Sequence, residues 1–409
     1  MVNISVAGKA PWRGRLLVLA GILLVAFTLR CAVTVVPPLV STMSRDLPFN
    51  ATTIGLLGML PTAAFAVFGF CTPFVIRWAS LEKLAVIAMG VAAAGQVARI
   101  FAPTTSVFLL LTVMSLAGLG AGNVLLPPLV KQYFPDRVGL LTALYVTVLS
   151  LGTALPPQLA VPVSDAAGWQ WSLGLWAGAN VLAALPWLAA AAAARRRPDR
   201  VPAARPGPAP SPRINPWRSP AALGLTFMFG CTSLNTYAMF AWLPGILTQA
   251  GLDRGAAGSM LALFAAIGLP LSLLVPVAAH RMANPFPLVV FFLLCFIGGY
   301  LGLLNSPASG TWLWVTLAGM GPGTFPLALL LINLRTRTRA GAGALSGFSQ
   351  GTGYALACAG PLLFGILHQS TGGWLIPFCF LFATLALLAG GAWFICRPRF
   401  FDAEAPRAR

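Results

Sequence analysis

The sequence predicts an all-α integral membrane protein, with twelve transmembrane helices arranged as two six-helix bundles. Three observations carry this. Of 409 residues, 58% are hydrophobic and only 8% charged, with a mean hydropathy of +0.84, whereas soluble domains carry about 25% charged residues. The apolar residues fall in runs of about 20 or more, the length that crosses a bilayer as a helix. The two halves also echo each other: "LAGLGAG" (116–122) returns as "LAGMGPG" (317–323), each followed by an apolar stretch, a basic loop and a Gly-rich helix.

In chain order the spans are 15–42, 53–77, 83–102, 105–130, 138–161, 170–194, 220–248, 257–279, 285–304, 311–334, 341–367 and 373–396. The first lacks a small-residue cleavage site and runs into polar residues, so it reads as a helix and not as a signal peptide. Between the sixth and seventh, residues 195–219 are rich in Pro and Arg without an apolar period, the composition of an extended linker. The expected organisation is a bundle over 1–194, a cytoplasmic linker over 195–219 and a second bundle over 220–409. Six plus six spans at matching positions is the pattern of a parallel repeat, whose substrate site lies near the midplane between the halves.

The net charge of +18 raises the question of nucleic acid. No basic stripe is interleaved with aromatic residues on a soluble segment, so no such partner is expected. The positions of the charges answer instead to the positive-inside rule. With the N-terminus inside, 22 of the 26 Lys and Arg fall in the tails, the linker and the inner loops. Only Arg45, Arg99 and Arg254 fall at the outer side, and Arg30 lies within span 1. Both termini are therefore expected in the cytoplasm of a multi-pass protein of the bacterial plasma (inner) membrane. The seven cysteines lie in or at the ends of spans and read as small apolar packing groups. No zinc spacing occurs, and no metal or other cofactor is expected.

Arg30 is the strongest single signal. It lies about 14 residues into its span, about 21 Å at the helical rise. A central arginine costs about 2.5–3.5 kcal/mol even on the lenient insertion scale, so it faces a cavity or a partner. All eight carboxylates fall in loops, helix ends, linker or tails. An arginine without a buried acid attracts an anionic or electron-rich ligand; the other reading ties it to the carbonyls of a helix broken near Pro37 and Pro38. The missing acid also argues against a buried carboxylate proton relay. Asn123, Tyr145, Asn235, Gln350 and Tyr354 fall in the same slab. Thr34 shares a face with Arg30, and Tyr354 shares one with Gln350, each at i+4. Asn and Gln in membrane helices also serve as glue between helices, so site and glue both stand for these residues. Tyr237 and Trp242 read equally as core or as cavity wall.

"GFSQG" (347–351) fits G-x-S-x-G, the nucleophile elbow, which needs a strand-turn-helix and an acid and histidine following in that order. Here His368 precedes Asp402 and Glu404, and the segment is one membrane span. No catalytic residue is assigned, and the chain is expected not to be an enzyme. Gly343, Gly347 and Gly351 recur at intervals of four, the spacing that lets helices approach closely in lipid.

Several stretches resemble the cyanate/2-nitroimidazole porter family of the major facilitator superfamily. They are "TLRCAVTVVPPL", "VKQYFPDRVGLLTALY", "YAMFAWLPGIL", "GTFPLALLLINLRTR" and "LSGFSQGTGYALACAGPLLFGILHQSTGGW". The resemblance implies the twelve-helix fold and alternating access, with Arg30, Tyr237, Gln350 and Tyr354 at recurrent polar positions of the family. The chain departs from the family at Cys31, where Pro is frequent, and at Thr232-Ser233, where Gln-Ser is frequent.

The leading expectation is a monomeric secondary or facilitative carrier of a small anion, cyanate-like or a small carboxylate. Arg30 would take the charge, and Thr34, Asn123, Tyr145, Asn235, Tyr237, Gln350 and Tyr354 would line the site. Its partners are then a small-molecule substrate and the lipid bilayer. The alternative is an exporter of small aromatic drugs such as 2-nitroimidazoles. A membrane esterase built on Ser349 and a non-transporting sensor on a carrier fold complete the set.

Overall fold

A computed structural model describes residues 15–75, 79–195, 215–397 and 401. The expected linker therefore lies outside the described residues except at 195 and 215–219. All regular elements among the described residues are helical. In chain order they form α1 (Leu16–Met43), α2 (Ala51–Val75), α3 (Leu81–Arg99), α4 (Thr105–Tyr133), α5 (Val138–Ala167) and α6 (Trp169–Arg195). The second half supplies α7 (Pro220–Gln249), α8 (Arg254–His280), α9 (Phe286–Asn305), α10 (Thr311–Leu334), α11 (Gly341–Thr371) and α12 (Leu375–Cys396). Each predicted span coincides with one helix, with ends shifted by a few residues; α5 continues to Ala167, six residues beyond expectation.

Four helices are interrupted, and prolines account for most of the interruptions, since each removes an N–H and clashes with the carbonyl four residues back. α8 breaks at Ile267 before Pro270, α11 at Cys358 before Pro361, and α10 tightens to a 3-10 turn over Gly321–Gly323 around Pro322. α1 turns at Leu29 and Arg30, resumes over Cys31–Thr34, and tightens again over Pro37–Leu39. Beside the first turn, α5 comes so close that a Cβ at Gly152 would lie 1.8 Å from the Phe27 carbonyl oxygen. Only glycine allows that approach.

Within the first half, α3 packs on α4 and α6, and α1 packs on α4, α5 and α6. Within the second, α7 packs on α8, α10, α11 and α12, and α9 packs on α10 and α12. The repeated glycine motifs do matching work. Gly118 and Gly122 of α4 lie against Ala88, Ala92 and Met89 of α3, while Gly321 and Gly323 of α10 lie against Phe296 and Phe292 of α9. The halves meet where α2 runs along α11 and α5 along α8. By length and composition eleven described helices are apolar enough to cross a membrane. The remaining one, α7, is 30 residues long and carries Thr226, Thr232, Ser233, Asn235 and Thr236. Its burial among neighbours, with most of its side chains enclosed, removes the need for a lipid-compatible surface. Exposed Trp171 and Trp312 mark one end of the bundle, and exposed Trp217 and Trp393 the other, as aromatic belts at two interfaces do.

Call the end holding Arg15, Lys83 and Lys131 the basic end. At the opposite end the halves are tied by an Arg254–Asp165 ion pair of 3.3 Å, by Arg254 to Thr42, and by Thr52 donating to Gln369 at 2.8 Å. Gly258 there would place a Cβ 2.8 Å from the Pro157 carbonyl. These contacts close the seam between the halves at that end.

The cysteines are free among the described residues; Cys31, Cys231, Cys295 and Cys396 are buried, whereas Cys71 and Cys379 are exposed. The close-packed glycine face expected on α11 is largely not one. A Cβ at Gly351 would meet the Phe70 ring at 2.5 Å, but Gly343 and Gly347 look into open space. They lie on an exposed face of α11, whose opposite face packs through the fully buried Leu345 and Ser349, so spacing alone misassigned them.

Candidate substrate site

The Leu29–Arg30 turn presents the Arg30 side chain toward the second half. Its Nη1 donates to the Tyr237 hydroxyl of α7 at 2.5 Å. The guanidinium carbon lies 5.3 Å from the centre of the Tyr237 ring and 5.8 Å from that of Phe65 on α2, within range of a cation–π attraction. Its charge also acts on Tyr354 of α11. Tyr354 is held between Phe65 at 5.5 Å and Phe229 at 5.0 Å, and Phe229 meets Phe325 of α10 at 5.1 Å. Arg30 thus stands in an aromatic cage built by α1 and α2 of one half and α7, α10 and α11 of the other.

Of the two expectations for Arg30, the helix is indeed broken there, but the guanidinium goes to Tyr237 and not to the freed carbonyls. No described acid reaches it. Asp46 accepts from Trp169, Glu82 from Gln132 and Tyr133, Asp136 pairs with Arg15, Asp165 with Arg254, and Asp253 caps α8. Glu82 is buried, yet at the basic end of α3. Among the described residues the polar side chains that meet this cation are phenols, the composition that receives an anion or an electron-rich planar group.

The remaining sequence candidates divide. Thr34 donates to the Arg30 carbonyl at 3.2 Å and is fully buried, so it braces the turn and does not face a ligand. Asn123 of α4 and Tyr145 of α5 are half-buried, and their side chains make no hydrogen bond within the described protein. Gln350 donates to Ser346 at 2.6 Å, and its side-chain oxygen accepts no hydrogen bond among the described residues. Asn235 differs from the expectation of a ligand-facing amide. It is fully buried, donates to the Cys231 carbonyl at 2.8 Å and to Thr384 of α12 at 2.9 Å, and accepts from Tyr300 of α9 at 3.1 Å. Its hydrogen bonds are consumed by its own helix and by α9 and α12, so it acts as glue.

Tyr237 sits at the junction of core and wall, while Trp242 belongs to a plug at the far end. Its indole donates to the Pro361 carbonyl at 2.9 Å and packs with Phe364, His368 and Trp374. Ser349 is buried, 3.4 Å from the Ala222 carbonyl, and is a packing residue of α11. Sequence reasoning missed Phe65, Phe229 and Phe325. Among 26 phenylalanines nothing singles them out before the helices are assembled. On the far side of Tyr237 an apolar pocket opens between α1, α2, α4 and α7, with Val36, Ile54, Leu57, Thr112 and Phe240 in its wall.

Residues 22–359 match the Major Facilitator Superfamily model. The chain belongs to the major facilitator superfamily. Within it the chain is a porter of the cyanate/2-nitroimidazole type. It is 32% identical over 380 residues to the 2-nitroimidazole transporter of Escherichia coli (strain K12), covering 91% of this chain and 92% of the relative. It is 26% identical over 367 residues to the cyanate transport protein CynX of the same organism, covering 88% and 92%. It is also 32% identical over 395 residues to the uncharacterized transporter YycB of Bacillus subtilis (strain 168), covering 95% and 96%. A solved bacterial homologue of the human lysosomal transporter Spinster, inward-facing and unoccupied, superposes with a TM-score of 0.72 at 15% identity, covering 95% and 97%. That likeness concerns the fold.

Proposed function

We propose that this facilitator carries a small anion, cyanate-like or a small carboxylate, by alternating access, with Arg30 binding the anionic group. The observation that carries the reading is the guanidinium without an acid, held by Tyr237 at 2.5 Å across the boundary between the halves. An anion arriving there gains charge-assisted hydrogen bonds from nitrogens that no described carboxylate occupies. Tyr354, Asn123, Tyr145 and the side-chain oxygen of Gln350 supply the polar wall; Thr34 and Asn235 support it from behind. Because the cage joins both halves, a ligand bound in it favours their approach, and the far-end contacts of Arg254 and Thr52 close one mouth.

By the distribution of basic residues, the basic end faces the cytoplasm of a bacterial inner membrane, with both termini inside. Residues 1–194 and 220–409 form the two rocking bundles joined by 195–219. The chain works as a monomer. The test is counterflow of cyanate and small carboxylates in proteoliposomes with Arg30→Ala. Loss of exchange in a folded protein supports the reading, and undiminished exchange overturns it.

A second reading, export of small aromatic heterocycles, is favoured by one observation. The wall around Arg30 is made of Phe65, Tyr237, Tyr354 and Phe229 rings, surfaces that stack on planar ligands. Comparing rates for 2-nitroimidazole with those for a small carboxylate separates the two readings. Faster transport of the neutral heterocycle favours the second.

A further inference from the structure

A second polar cluster lies behind α1, apart from the Arg30 cage. Gln96 and Arg99 stand one turn apart on α3, and both are fully buried. Gly95 beside them abuts α4 so closely that a Cβ there would lie 2.5 Å from the Ser115 nitrogen, which brings buried Ser115 alongside. Phe108, two turns from Ser115 along α4, lies with its ring centre 5.9 Å from the Arg99 guanidinium carbon. Arg99 stands at the far end of its helix, but helical side chains lean toward the N-terminus. Its head accordingly reaches back to α1, where Nη1 donates to the Ala32 carbonyl at 3.4 Å.

Among the described residues the rest of the cluster has no partner: Arg99 Nε and Nη2, both amide atoms of Gln96 and the Ser115 hydroxyl are buried without a hydrogen bond. The ion pairs among the described residues involve Arg15, Arg137 and Arg254, not Arg99. An arginine inside the membrane persists when paired or when it faces a polar cavity, and removing its partner leaves a costly bare charge. Here donors predominate: two guanidinium nitrogens, an amide nitrogen and a hydroxyl, against one amide oxygen. The partner such a group calls for is negative and small, because the Gly95–Ser115 contact keeps α3 and α4 nearly touching.

We propose that Gln96, Arg99 and Ser115 form a second binding position, for a small inorganic anion of halide or pseudohalide size. Ala32, held by Arg99, also lines the pocket that reaches Tyr237, and so does Thr112, one turn from Ser115. The cluster thus adjoins the substrate pathway while using none of the residues of the Arg30 cage. It requires no transport and stands whether or not Arg30 binds the substrate.

The test is thermal unfolding of the purified full-length protein in chloride or nitrate against gluconate at constant ionic strength. Wild type and Arg30→Ala should both show saturable stabilisation by chloride. In the Arg30→Ala background, where the cage contributes nothing, adding Arg99→Gln should abolish it, and adding Gln96→Leu or Ser115→Ala should raise the half-saturating concentration about tenfold. If Arg99→Gln does not fold, the last two variants decide. The proposal is overturned by stabilisation equal in all anions, by stabilisation that survives unchanged in the cluster variants, or by stabilisation that Arg30→Ala alone abolishes.

Discussion

Tyr237→Phe removes a single oxygen from the cage. The ring remains under the guanidinium at its 5.3 Å spacing and keeps its edge contact with Phe240, so folding should hold. What is lost is the 2.5 Å hydrogen bond from Arg30 Nη1. A hydrogen bond to a charged group contributes about 1.5–3 kcal/mol, and about 1.4 kcal/mol corresponds to tenfold in affinity. Tyr237 fixes the direction of the guanidinium that the anion must meet, so half-saturation of counterflow should rise by about 10- to 150-fold. The maximal rate should change much less, because the anion itself still bridges the halves. Counterflow in proteoliposomes across a substrate range gives both quantities, and a thermal unfolding curve gives folding. Wild-type half-saturation in Tyr237→Phe would refute the placement of this hydroxyl in the binding step.

Asn235→Ala should behave in the opposite way. It removes three hydrogen bonds to Cys231, Thr384 and Tyr300, each about 0.6–1.5 kcal/mol in such surroundings. Unfolding temperature should fall while substrate affinity stays within about twofold; lower affinity at unchanged stability would return Asn235 to the site. Arg254→Ala removes a half-exposed ion pair with Asp165, a contact of about 0.2–1 kcal/mol. External maleimide labelling of a lone cysteine placed at Val40, in the pocket wall, should then quicken by about 1.4- to 5-fold. An unchanged rate would show that this pair does not hold the far end shut.

The fold was legible because the bilayer imposes one rule on every span, an apolar run of fixed length, and twelve such runs were visible. α7 shows the edge of that rule: it carries Thr226, Thr232, Ser233, Asn235 and Thr236, and its neighbours enclose most of its side chains. Arg30 was legible for the same reason, as a charge where hydrocarbon excludes charge. Tyr237, 207 residues away, entered the site through the family resemblance and not through spacing, and a phenylalanine such as Phe65 carries no sign of which ring will meet a cation. Asn235 and Asn123 look alike in sequence. They separate only when α9 and α12 supply Asn235 with partners and no described neighbour does so for Asn123. Arg99 stood at a span end, where an arginine usually reaches water. Its side chain instead leans back along the helix into the core, a direction the one-dimensional charge count does not contain.

The central claim is that Arg30 receives the anion. The most direct measurement is the substrate dependence of counterflow in Arg30→Ala and Arg30→Lys proteoliposomes, using cyanate and a small carboxylate. Loss of exchange in Arg30→Ala, with partial recovery in Arg30→Lys and normal unfolding curves for both, is the predicted result. Exchange by folded Arg30→Ala at the wild-type half-saturation would contradict it.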